Sequence, residues 1–189
     1  MTRGSLGSMM LSLGLISIVA GALLGGVRQL TLPRVEEAAR MVKIRAIEAV
    51  VPEFDNNPAE ESVKVAVGAD SLLVYRATRH GRLVGMAVES LSHDGFSGDI
   101  SVMVGFDASG VVTGYSVLSH GETPGLGAKM DQWFRQPEGN RSVIGLTPSA
   151  SFAVTKDGGE IDGITAATIT SRAFLDAIRR AHQAFVQLN

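Results

Sequence analysis

The stretch Asp162-Gly163-Ile164-Thr165-Ala166-Ala167-Thr168 brings a hydroxyl to the point where a loop gives way to a helical run. Small residues let a backbone come close to a ligand. The free N–H groups and positive dipole end of a helix start favour an anion, so a threonine here sits where a phosphate would bind. The same residues also read as an ordinary Thr or Ser helix cap. A second stretch, His120-Gly121-Glu122-Thr123-Pro124-Gly125-Leu126-Gly127, lies about 40 residues upstream. There Pro124 stiffens the backbone, while Gly125 and Gly127 remove side chains that would block a flat ring. Alone it reads as a glycine-rich surface turn. The two stretches meet only if that loop folds against the last helix.

Few other side chains suggest chemistry. Thr165 and Thr170 are alternative hydroxyls in the same segment, and Asp162 also reads as a turn or capping carboxylate. Neither His93 nor His120 has ligand spacing to another histidine, so both read as solvated or core residues and no metal site is expected. Lys129, just after the glycine-rich loop, reads as a solvated lysine or as a partner for a phosphate or carboxylate. No Ser-His-Asp order, metal signature or phosphate-binding loop is present, which removes hydrolase and nucleotidase readings and leaves no catalytic residue to assign. The chain has no Cys, which excludes disulfides and cysteine-ligated iron–sulfur clusters. Redox chemistry would need a bound organic cofactor or a partner.

Asp162 to Thr168 resembles the flavinylation motif of the FMN-binding domain, in which the final Thr carries FMN through a phosphoester bond. Glu122-Thr123-Pro124-Gly125-Leu126-Gly127 is similar to an upstream loop of the same family. With one N-terminal hydrophobic segment and 189 residues, the chain resembles the G subunit of the Rnf electron transport complex. The related C subunit of the sodium-pumping NADH:quinone oxidoreductase is usually longer, so length favours Rnf. Ala166 departs from the pattern, since family members more often have Gly there.

The resemblance implies a covalent FMN on Thr168, with Asp162, Gly163, Thr165, Ala166 and Ala167 around it, and Glu122, Thr123, Gly125, Leu126 and Gly127 completing the site. It makes Asp162 part of what a flavin transferase, using FAD and Mg2+, recognises. It further implies an ion-translocating ferredoxin:NAD oxidoreductase, a redox-driven ion translocase, in which this chain carries electrons without a complete active site of its own. The partners would be the other Rnf membrane subunits, the transferase during maturation, and the lipid bilayer. The rival readings are a carrier like the quinone reductase's C subunit and, from another class, an anchored non-redox binding module in which Thr168 merely caps.

Composition agrees with one soluble domain plus an anchor: 22 Gly, 45% hydrophobic residues and a positive mean hydropathy. A net charge of −2 with scattered Lys and Arg gives no field for nucleic acid, and no nucleic-acid partner is expected. No charged residue appears from Gly4 to Val27, and Met9 to Val27 is long enough to span a bilayer core, which takes about 20 residues. A cleaved signal peptide, with its site near Ala20 to Gly26, is the rival. Arg28, Arg34, Arg40, Lys43 and Arg45 follow the segment, and the positive-inside rule read from them would leave the domain in the cytoplasm. The family resemblance instead implies a single-pass protein of the cytoplasmic (inner) membrane with its domain on the extracytoplasmic, periplasmic face. The resemblance outweighs the charges, because a large translocated domain can override loop charge.

These features divide the chain into an N-terminal tail (1–8), a transmembrane helix (9–27), an amphipathic connector helix and linker (28–58) and a covalent FMN-binding domain (59–189). Pro33 can open a helix at its first turn, and Val35, Ala38, Ala39, Val42, Ala46, Ile47 and Val50 recur at helical spacing, predicting a connector helix over 34–51. Strands are expected over 72–78, 83–88, 100–106 and 111–118, with turns at His80-Gly81-Arg82 and Asp107–Gly110. Val111, Tyr115 and Val117 would share one side of the last of these. A short helix over 130–134 carries Trp133 as a packing anchor, a short strand is expected over 152–154, and a helix over 171–186. The fold class is α+β: an N-terminal transmembrane helix, then an antiparallel sheet backed by helices.

Overall fold

The computed structural model describes residues 6–149 and 152–189, so Arg3 and the rest of the tail through residue 5 lie outside the described residues. The chain divides into two units, Met1–Val42 and Lys43–Asn189.

Within the first unit the described chain is one helix. Helix α1 runs from Leu6 to Val50, 45 residues, with Pro33 inside it. The separate connector helix expected to open at Pro33 is therefore corrected to a continuous one. A proline forfeits one backbone hydrogen bond and crowds the preceding turn, yet Leu, Arg, Glu, Ala and Met flank it, all strong helix formers. The helix is long and apolar enough to cross a membrane. Its large apolar side chains, from Leu6 to Val42, are exposed.

The second unit is built on five antiparallel strands in chain order: β1 (Val63–Val67), β2 (Asp70–Arg79), β3 (Arg82–Ser92), β4 (Ile100–Asp107) and β5 (Val112–Ser119). The β2–β3 turn has two residues, His80 and Gly81, both at positive φ (52° and 75°), which matches the twist of the flanking strands. Strand β1 is an addition to the expected set. It is short and lies at the edge, with only Val65 and Val67 turned inward, so it carries little periodic signal.

One face of the sheet is covered by the last helix, α3 (Thr168–Leu188), the other by the end of α1. Ile100, Val102, Val104 and Phe106 of β4 face α3 with Phe174, Ile178, Ala181 and Phe185. Met103 lies on the opposite side with Ala46, Ile47 and Val50 of α1. The apolar stripe expected along the connector thus packs only from Ala46 onward; Val35 and Val42 are exposed. Ser90 and Ser92, buried on the α3 side of β3, donate to Ala177 O (2.7 Å) and Asp176 Oδ2 (3.1 Å), which fixes α3 along the strand. At the far side Asp70 pairs with Arg180 of α3, and that guanidinium holds the Asp70 carboxyl below its ordinary range.

Two expected details shift. A bulge at Gly105/Phe106 puts Val112 rather than Val111 in the core beside Tyr115, because one extra residue reverses which side chains point inward. The strand expected over 152–154 reduces to a single parallel bridge between Val154 and Ile161. The compact turn between them aligns one pair and then diverges. The short helix α2 (Met130–Trp133) forms as expected.

Candidate functional site

Helix α3 begins at Thr168 itself, three residues before the start expected at Ser171. Ala167 holds the cap position and makes no side-chain cap bond. Ser171 supplies the fastening instead. Its buried hydroxyl accepts from Ile164 N (2.8 Å) and donates to Ala167 O (2.9 Å), closing the loop onto the first turn. The helix-cap reading of Thr168 is thereby set aside. Thr168 itself is half-buried, and its hydroxyl accepts a surface hydrogen bond from Lys156 Nζ at 3.2 Å.

The glycine-rich loop does fold against α3. Glu122 is 5% exposed and bridges three segments, accepting from Ser97 N (3.1 Å) through Oε1 and from the Thr170 hydroxyl (2.6 Å) through Oε2. Gly127 lies against that bridge. A Cβ there would stand 2.5 Å from Glu122 Oε2 and 2.7 Å from Thr170 Oγ1, so the loop can reach the helix only without a side chain. Thr123 O closes the turn by accepting from Leu126 N (3.1 Å) and Ala128 N (3.3 Å).

Two cavities open on either side of Thr168. One, about 310 Å³, is lined by the apolar Phe96, Leu126, Ile169, Ala166 and Ala167 together with Glu122, Thr123, Gly127 and Thr170. Phe96, Leu126 and Ile169 are exposed apolar residues around it. The other, about 350 Å³, is polar and takes in Asp162, Gly163, Thr165, Lys156, Arg141 and Trp133. Both fall at the small end of ligand pockets, roughly 300–1,000 Å³. Of the site residues read from the sequence, Gly125 lines neither cavity; it turns the loop at φ 78°.

Asp162 holds the polar side together. Its Oδ2 accepts from Asn140 N (3.1 Å), its N donates to Asn140 O (2.8 Å), and its O accepts from Trp133 Nε1 (2.8 Å). The Arg141 guanidinium lies 4.2 Å from the centre of the Trp133 ring. Trp133 therefore anchors the motif through its N–H as well as by packing. Lys156, Arg141, Phe96 and Ile169 join the site without any warning from the sequence. Lys156 sits in a Lys-Asp-Gly-Gly stretch that reads only as a turn, and no spacing rule relates it to Thr168. His120 and His93 find ordinary partners: His120 Nδ1 accepts from Glu122 N (3.1 Å), and His93 pairs with Asp99 (2.8 Å). That pairing, with Asp70 beyond it, raises the His93 pKa.

Ala166 sits at φ 63°, in the left-handed region. An L side chain there costs about 1–2 kcal/mol, partly offset by the greater freedom glycine has when unfolded. Ala166→Gly should therefore stabilise by roughly 0.5–1 kcal/mol and raise the thermal midpoint by about 1–4 °C. An unchanged or lower midpoint in a thermal melt would contradict this.

The FMN-binding domain family matches residues 95–183, which contain both the glycine-rich loop and the Thr168 segment. The chain is 34% identical over 180 residues to the G subunit of the ion-translocating oxidoreductase complex of Shewanella baltica (strain OS223), covering 89% of this chain and 84% of that one. It is 37% identical to the corresponding G subunit of Aliivibrio fischeri (strain MJ11), covering 90% and 86%. To that of Pseudomonas aeruginosa (strain UCBPP-PA14) it is 34% identical, covering 97% and 90%.

Proposed function

We propose, because the chain belongs to the family of G subunits of ion-translocating oxidoreductase complexes, that it carries electrons on an FMN esterified to Thr168 and is held at a membrane by α1. The observation that carries this reading is a half-buried threonine that lines both an apolar and a polar cavity, its hydroxyl hydrogen-bonded to a lysine.

The residues suit FMN on both sides of that hydroxyl. Phe96, Leu126, Ile169 and Ala166 offer apolar surface to a flat ring, and the small residues 163, 166 and 167 let the backbone approach. Lys156 and Arg141 offer positive charge to a phosphate. FMN supplies one- and two-electron chemistry when bound; the protein supplies position and electrostatics. Glu122 and Ser171 hold the loop and the helix start in place. In the attachment step the Thr168 oxygen forms a bond to the flavin-side phosphorus of FAD, the pyrophosphate bond to AMP breaks, and the hydroxyl proton passes to solvent. No electrons are exchanged in that step. The helix N-terminus alone stabilises such an anion by only about 0.3–1 kcal/mol, so permanence comes from the covalent bond.

The exposed apolar length of α1 supports an anchor, since about 20 apolar residues in water would otherwise go unburied. The domain then lies on the extracytoplasmic face, with the other subunits of the complex in the same membrane and a flavin transferase acting on it once. Protease added outside sealed spheroplasts should digest the domain; complete protection would place it in the cytoplasm. Full-length chain produced with a flavin transferase should gain the mass of one FMN less water. An unmodified mass would favour the non-redox module.

A further inference from the structure

The turn before the flavin motif is fastened to α3 at two neighbouring points. Thr155–Asp157 form a 3-10 turn, closed by Asp157 N to Val154 O (2.8 Å) and Gly158 N to Thr155 O (3.1 Å). Asp157 grips Arg172 with both oxygens, accepting from Nε at 2.7 Å and from a terminal nitrogen at 2.5 Å. Its neighbour Lys156 donates to Thr168 Oγ1 at 3.2 Å. Thr168 and Arg172 are four residues apart on one helix, so they share a face. Adjacent residues of the turn therefore engage residues one helical turn apart. The pairing with Arg172 also lowers the Asp157 pKa, so this fastening stays charged at neutral pH. The ion pair holds the turn, and the turn delivers the ammonium.

Resting on the covalent reading above, we infer that Lys156 is the anion-binding residue of the attachment step: it stabilises negative charge at the Thr168 oxygen as the bond to phosphorus forms, and afterwards pairs with the phosphodiester. The Asp157–Arg172 pair acts as its positioning device. The bond made is Thr168 O–P and the bond broken is the pyrophosphate bond of FAD, with AMP leaving. Lys156 contributes hydrogen bonds and positive charge where negative charge develops.

The test follows covalent FMN incorporation into the full-length chain, in detergent, with purified transferase, FAD and Mg2+, by intact mass against time. Lys156→Met should slow incorporation by about tenfold or more, and Lys156→Arg should restore most of the rate. Lys64→Met, on the edge strand β1, is the control and should match the wild type. Lys156 is exposed, so equal thermal midpoints are expected and would show that the fold is intact. Incorporation at the wild-type rate in Lys156→Met overturns the assignment while the covalent reading stands. Slowing that is equal in Lys156→Arg and Lys156→Met also overturns it, since a role resting on positive charge must survive that exchange. A wild-type chain that gains no FMN overturns the covalent reading itself.

Discussion

Thr168→Ala should leave the chain folded and without any covalently held flavin, seen as a loss of in-gel fluorescence after denaturation and as an unmodified intact mass. The expectation is complete loss rather than a reduced yield, because the neighbouring hydroxyls are differently placed. Thr170 is 1% exposed and gives its hydrogen to Glu122 Oε2 at 2.6 Å, so esterifying it would break the bridge that holds the glycine-rich loop. Thr165 is exposed and reaches only the polar cavity, whereas Thr168 opens on both. Thr168→Ser keeps the oxygen and should still be loaded. Flavin retained in Thr168→Ala and mapped to a peptide carrying a modified Thr165 would move the attachment point.

Gly105→Ala should cost about 3 kcal/mol of stability and lower the thermal midpoint by roughly 6–12 °C. Gly105 lies on β4 beneath the end of α1, and a Cβ built there would clash with Val50 O and Val50 C. Both are backbone atoms, so no rotamer change relieves the clash. Val50 O also accepts the hydroxyl of Thr113, so lifting the helix end away sacrifices that bond as well. Gly114→Ala provides a graded comparison: its Cβ would be 3.2 Å from Val50 Cα, and it should cost less. A midpoint in Gly105→Ala equal to that of the wild type would mean that the end of α1 does not rest on this sheet.

The elements most readable from the sequence are those whose pattern repeats. Alternation in β4 identifies the residues that meet α3, and the spacing of Phe174, Ile178, Ala181 and Phe185 identifies the buried stripe of the last helix. Boundaries are less readable. Pro33 signals a helix start on local rules, yet good helix formers on both sides carry α1 through it. The bulge at Gly105/Phe106 displaces Val111 by one residue, and nothing in the local sequence announces it.

Within the site the motif itself is legible, and its surroundings are not. Ser101, Met103 and Gly105 read only as the lighter face of β4, whereas Gly105 is small because a helix end lies on it. Glu122 reads as one member of a loop, and only the folded chain gives its carboxylate to Ser97 and Thr170 from elsewhere in the sequence. Lys156 reaches Thr168 through a turn fastened by an ion pair, a relation set in three dimensions with no fixed sequence offset.

Each strand of the sheet pairs with the one made just before it, β1 through β5 without a crossover. Short-range closures cost little chain entropy and form quickly, so this scaffold can assemble in the order of its synthesis. Thr168 follows all five strands in the chain, on a helix that packs against the sheet they form. On the reading proposed above, loading at Thr168 therefore waits on the last element of the domain, made after every strand of the scaffold that it packs on.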